Sequence, residues 1–221
     1  MVVMLNDPDF TRHTYVVIDF EALTPAGRSA EPIEVAAVAV TVRGDELTET
    51  ERFQALIRPP ADVPVTDFDT RQTGITPADL QRAEPASTVL AALDARLTSP
   101  PYRLVAHHAP TEAGLIAHQR PHCPTLAATT LLDTVRLARM AYPELSSHRL
   151  DELLRFLHLP HPPNRHRAMP DVEATVAVFR RVIADGTAAG HWSTLHDLDK
   201  TAGIPPKVSA KADTDEQESL F

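Results

Sequence analysis

Thr14 to Phe20 (TYVVIDF) is a nearly unbroken β-branched and aromatic run, and it constrains the fold more than any other stretch. So short an apolar run, with no polar alternation, fits a strand covered on both faces. It therefore predicts the centre of a sheet with helices on either side. Two more such runs, Ile33 to Val42 and Phe53 to Ile57, follow through turns around Pro25–Ser29 and Gly44. Three strands joined so closely predict an antiparallel meander.

Beyond them the pattern changes. Residues 59 to 69 read as a proline-rich loop, and Thr76, Pro77 and Asp79 then give a helix start with a Thr cap and an acid at the third helical position. Helices are expected over 86–97, 111–119, 135–142, 150–157 and 171–184, with strands at 102–107 and 130–133. In the last helix Val172, Val176, Phe179 and Ile183 fall at i, i+4, i+7 and i+11 and make one apolar face. Strands followed by alternating helices and strands imply an α/β architecture, a mixed five-stranded sheet flanked by helices. Residues 1–200 are expected to form one domain. From 203 to 221 the periodicity is lost, and Pro, Lys, Ser and Asp mark a flexible tail.

The central strand ends in two carboxylates, Asp19 and Glu21. Side chains two apart on a strand share a face, so both acids point one way and Phe20 the other. Such a pair is costly to desolvate unless a cation lies between them, and hard divalent ions such as Mg²⁺ and Mn²⁺ prefer oxygen ligands. A second element is His166-Arg-Ala-Met-Pro-Asp171. Pro170 suits a first helical turn, which puts His166 on the preceding loop and Asp171 at the helix start. A loop histidine beside an anchored carboxylate is suited to activating a water. The third element, Val105-Ala-His-His-Ala-Pro-Thr-Glu112, runs from a strand end into a helix and places Glu112 near that helix's start. Taken singly, each acid has a plainer reading as a solvated strand end or a helix-dipole carboxylate.

In this order and context the chain resembles the DEDDh 3′–5′ exonucleases, the family of polymerase proofreading subunits. The matching segments are Asp19-Phe-Glu21, His107-His-Ala-Pro-Thr-Glu112, and His166 with Asp171. Thr73-Gly-Ile-Thr76, Leu132-Asp-Thr-Val-Arg-Leu-Ala-Arg139 and Arg149-Leu-Asp-Glu-Leu153 are also similar, so the likeness spans roughly residues 14–184. It implies an RNase H-like fold and an enzyme that hydrolyses terminal phosphodiesters, releasing nucleoside 5′-monophosphates. It implies that Asp19, Glu21, Glu112 and Asp171 hold two divalent cations, Mg²⁺ or Mn²⁺. It makes His166 the general base, with Ala22, Leu23 and His108 against the substrate. The implied substrate is a nucleic-acid 3′ end, single-stranded or frayed DNA. Two departures stand out: Glu112 replaces the family's usual Asp, and His108 its usual Asn. An exoribonuclease on the same fold, and a non-catalytic clamp-recruited adaptor on a decayed scaffold, are the competing readings.

The last five residues, Gln217-Glu-Ser-Leu-Phe221, resemble the bacterial sliding-clamp-binding pentapeptide. That likeness implies a polar pocket for Gln217 and a hydrophobic one for Leu220 and Phe221. A net charge of −9 argues against a protein that grips nucleic acid by a broad basic stripe, while leaving room for a carboxylate–metal site. One cysteine, Cys123, offers no disulfide, and the longest apolar stretch, Val35 to Val42, is far too short for a bilayer span. No membrane partner and a cytoplasmic location are expected. Trp192 is read as packing the terminal helix rather than stacking on a base.

Overall fold

A computed structural model describes residue 4, residues 6–162 and residues 167–207. The strands are β1 (Thr14–Leu23), β2 (Glu31–Arg43), β3 (Glu46–Arg58), β4 (Glu84–Pro85), β5 (Tyr102–Ala106), β6 (Leu131–Asp133) and β7 (Gly203–Ile204). The helices are α1 (Pro8–Arg12), α2 (Asp67–Thr73), α3 (Pro77–Gln81), α4 (Ala86–Asp94) and α5 (Pro110–His118). They continue as α6 (Pro124–Ala127), α7 (Thr134–Ala141), α8 (Leu150–Phe156), α9 (Ala168–Ala188) and α10 (Leu195–Ala202).

The sheet order is β4-β3-β2-β1-β5-β6-β7, so the TYVVIDF strand lies at the centre. β1, β2 and β3 form the expected antiparallel meander, while β5 and β6 add on the other side in parallel. Five strands carry the sheet. The other two, β4 and β7, are two-residue additions at its edges. Gly203 and Ile204, which composition placed in the tail, pair with Leu132 and Leu131. The last segment, 208–221, and with it the clamp-like residues Gln217, Leu220 and Phe221, lies outside the described residues.

Strand alternation sorts β1 into two layers. Tyr15 and Val17 pack with α7 to α10, whereas Val16, Ile18 and Phe20 pack against α4, α5 and α6. The long helix α9 buries Val172, Val176, Phe179 and Ile183 against the first layer, the face its spacing predicted. Asp19 and Glu21 continue the Tyr15–Val17 series, so their side chains emerge on the side where α9 lies. The sheet thus brings residues about 150 positions apart in the chain to one place.

Trp192 is buried at 2% exposure, and its indole N–H donates to the Ile183 carbonyl at 3.2 Å. It lies over Gly186, where a Cβ would fall 2.0 Å from the ring. Its place is in the packing of α9, not at a nucleotide site. The loop expectation for 59–69 needs correction at its end: α2 begins at Asp67, held by a capping box in which Thr66 and Asp69 satisfy each other's backbone N–H groups. Among the described residues, no helix is long and apolar enough to cross a membrane.

Candidate active site

β1 and α9 converge at one end of the sheet. Asp19, Glu21 and Asp171 each offer a carboxylate oxygen, and these atoms lie within 4.8 Å of one another. All three residues are half-buried. Like charges so close in a partly dry site repel strongly, and hard oxygen donors in this arrangement suit a divalent cation. Asp171 sits in the first turn of α9, as its position after Pro170 implied. Arg167 is the N-cap of that helix, with extended backbone.

Glu112 lies outside this trio but beside it. Its side chain is buried at 4% exposure in the first turn of α5, and Oε2 has no hydrogen-bond partner among the described residues. Burial, then the negative fields of Asp133 and Glu21, push its carboxyl up to about 8. A buried acid with an orphan oxygen in the field of two other carboxylates suits a site that takes a cation. The Asp19–Glu21–Asp171 trio therefore fits a divalent metal ion on its own geometry, with Glu112 beside it.

This raised pKa has a checkable sign. Between about 4.5 and 8 the folded chain holds a proton on Glu112 that the unfolded chain has lost, so this group makes metal-free stability fall as pH rises through that window. Glu112→Gln removes that slope. Urea midpoints in EDTA across this range read it; parallel pH profiles for the two proteins would contradict the assignment.

The turn from β5 into α5 is held by β6 and α7. The Asp133 carboxylate accepts from the His108 N–H at 3.2 Å and from Val135 N–H at 2.9 Å, and Arg136 approaches it at 3.7 Å. The Thr134 hydroxyl donates to the Ala106 carbonyl and lies 2.8 Å from His107 Nδ1. The Thr134 hydroxyl thus bridges the His107 ring and the Ala106 carbonyl. His108 has φ 70, in the left-handed region. Among residues other than glycine, Asn, Asp and His bear that conformation best, which accounts for His where the resembling family has Asn.

Ala22 is half-buried just past a register shift in β1, and Leu23 is buried among Ile33, Val63, Ile75 and Leu80. His166 lies outside the described residues.

Two features went unnoticed in the sequence. Glu34 opposes Glu21 in the β1–β2 register and is fully buried. Its carboxylate accepts from Arg167 Nε at 2.9 Å and Nη2 at 2.7 Å, from the Ala168 N–H at 3.0 Å and from Gln54 Nε2 at 2.9 Å. Burial pushes the Glu34 carboxyl up, but Arg167, Ala168 and Gln54 together outweigh it and hold the group below the usual carboxylate range. This clamp fixes the start of α9, and a charged residue inside the run Ile33–Val42 was its visible signal. Asp133 is the other, marked only by an acid ending an apolar strand.

With the site in view, comparison with known proteins places the chain. The RNase_T exonuclease profile matches residues 16–179, and the chain belongs to this exonuclease family. It is 31% identical over 179 residues to the DNA polymerase III PolC-type of Bacillus subtilis (strain 168), covering 80% of this chain and 12% of that protein. To the PolC-type polymerase of Streptococcus pyogenes serotype M1 it is 34% identical over 172 residues, covering 76% of this chain and 11% of that protein. The chain thus spans about an eighth of these relatives' length. Among solved structures, the nuclease domain of 3′hExo, a DEDDh family member bound to rAMP, superposes with TM-score 0.67 at 21% identity, covering 81% of this chain and 95% of that one. E. coli Exonuclease I with a dT13 oligonucleotide gives TM-score 0.67 at 20% identity, covering 80% and 42%. The RNase H-like α/β fold is shared with these two nucleases.

Proposed function

We propose that this chain is a metal-dependent 3′–5′ exonuclease that removes nucleoside 5′-monophosphates from a DNA end. The observation that carries the reading is the meeting of Asp19, Glu21 and Asp171 within 4.8 Å, with buried Glu112 alongside. These four carboxylates would hold two divalent cations, Mg²⁺ or Mn²⁺. Such ions, when bound, neutralise the acids, polarise the scissile phosphate and make water a stronger nucleophile. Asp19, on the central strand, is the ligand best placed to serve both. His166, one residue before the clamped Arg167, would take the proton from the attacking water. In the hydrolysis a water oxygen bonds to phosphorus and the bond from phosphorus to the upstream 3′-oxygen breaks. That oxygen leaves with a proton, and the terminal nucleotide departs with its 5′-phosphate.

Replicative PolC-type relatives support DNA as substrate and a proofreading, repair or end-trimming role. An RNA substrate draws support from a structural neighbour that recognises the histone mRNA stem-loop, at TM-score 0.66 and 20% identity. Competition between matched DNA and RNA strands separates the two. A non-catalytic adaptor draws on Glu112 and His108, which depart from the family's usual residues, and the meeting of Asp19, Glu21 and Asp171 speaks against it. Recruitment by a sliding clamp through Gln217, Leu220 and Phe221 is part of the proposal, and deleting these residues should abolish clamp binding while sparing turnover of short strands.

Strands labelled at the 3′ or the 5′ end, incubated with Mn²⁺ or with EDTA, test the reading. The expected result is immediate release of the 3′ label as mononucleotide, a shortening ladder from the 5′ label, and nothing in EDTA. Early release of the 5′ label, or equal turnover in EDTA, would reject it.

A further inference from the structure

A substrate strand carries a charge at every phosphate, yet the chain is acidic overall, at −9. Most of its described arginines are also committed to carboxylates, as in the pairs Arg52–Glu49, Arg103–Asp199, Arg155–Glu152 and Arg167–Glu34. Of the described arginines outside such pairs, Arg139 and Arg149 share one cleft, of about 710 Å³. Among the described residues neither takes part in an ion pair, and both are exposed. His107, His108, Ser147 and His148 line the same cleft.

The cleft abuts the acidic site. His107 and His108 line the cleft and form the turn that leads into α5, whose first turn carries Glu112, and the His108 N–H is held by Asp133. A strand whose 3′ end enters the trio can therefore pass along this cleft. Its volume lies within the range of sites that enclose a drug-sized ligand, enough for a short piece of backbone. A second observation points the same way. Arg149 is the N-cap of α8 and makes no side-chain capping bond. Ser, Thr, Asp and Asn are preferred there, and a cation opposes the helix dipole. A residue that breaks a local rule without local compensation is retained for another use.

We propose that this cleft is the seat of the strand upstream of the scissile bond, with Arg139 and Arg149 as ligands for its phosphodiester groups. The assignment rests on the exonuclease reading for its geometry of approach, since the scissile phosphate is taken to lie at the trio. Guanidinium groups bind phosphate oxygens in pairs of hydrogen bonds, and neither arginine must first break an ion pair to do so.

The test uses the full chain and a double variant, Arg139→Gln with Arg149→Gln, with Arg43→Gln at the far end of β2 as the control. Binding of a fluorescent oligothymidylate octamer is read by anisotropy in EDTA, and turnover of the octamer and of the dinucleotide TpT with Mn²⁺. Expected are octamer affinity weakened by about tenfold or more and a salt dependence of log Kd shallower by about 1.4, two phosphates at about 0.7 each. The KM penalty should be large for the octamer and small for TpT, whose one phosphate is the one cleaved. Octamer affinity and salt slope equal to those of the unaltered chain would overturn the assignment, as would an equal penalty on TpT, or an equal loss in Arg43→Gln. Should the unaltered chain cleave neither substrate, the exonuclease reading fails. The anisotropy comparison still decides whether the cleft holds a strand.

Discussion

Asp19→Asn is expected to lower metal-dependent release of 3′ nucleotides by at least about 10³-fold, the scale of losing a preorganised charge at a reacting centre. The substitution keeps the shape of the side chain and removes its charge. Asp19 lies on the face of β1 that α9 covers, within 4.8 Å of acidic oxygens from Glu21 and Asp171. No other described carboxylate belongs to that trio, so none is positioned to replace it. The fold should persist, because Asn keeps the shape of the side chain. Steady-state kinetics with Mn²⁺ and urea unfolding in EDTA read the two effects separately. Turnover within tenfold of the unaltered chain would remove Asp19 from the site, and a large drop in stability would make its role structural.

Glu34→Ala is expected to cost about 1–3 kcal/mol of stability, the range found when buried hydrogen-bonding groups lose their partner. The Glu34 side chain is 1% exposed and Arg167 is 35% exposed, so the loss falls on a pair whose acidic half has no access to water. The substitution strands the Arg167 guanidinium and frees the Ala168 N–H at the start of α9. Because α9 delivers Asp171, the variant should also bind Mn²⁺ more weakly, and that readout separates a positioning role from a purely structural one. Equilibrium unfolding in urea gives the first quantity and calorimetry the second. A stability loss below about 1 kcal/mol would mean the pair is no better than an exposed one. The pH signs of the two buried glutamates are opposite. Glu34, held below its usual range, contributes stability above its unfolded pKa that is lost on acidification through its folded value. Glu112, pushed up, loses the fold stability as pH rises.

What could be read in advance follows from how local each cause is. The TYVVIDF run declared a central strand because burial on both faces leaves no polar alternation, and strand period alone put Asp19 and Glu21 on one side with Phe20 opposite. Thr76 and Asp79 announced α3 by a capping box contained in four residues. Thr66 and Asp69 carry the same signal for α2, but the surrounding prolines hid it. The Glu34–Arg167 clamp left only one sign, a charge inside an apolar run, because its partners are 133 residues apart and meet only once β2 and α9 have packed. Asp133 holds the His107–His108 turn across 25 residues, again a product of packing. Glu112 was placed by its motif, whereas its depth of burial and its distance from the trio came only from the fold. The start of α9 moved from Asp171 back to Ala168, since a helix boundary set by a clamp to another strand leaves little trace in local composition.

Calorimetric titration of Mn²⁺ into the unaltered chain and into Asp19→Asn tests the central claim most directly. The account predicts saturable binding at the carboxylate site, stronger toward pH 8 as the Glu112 proton is released, and its loss in Asp19→Asn while the fold persists. Identical Mn²⁺ binding by the two proteins, or none by either, would contradict it.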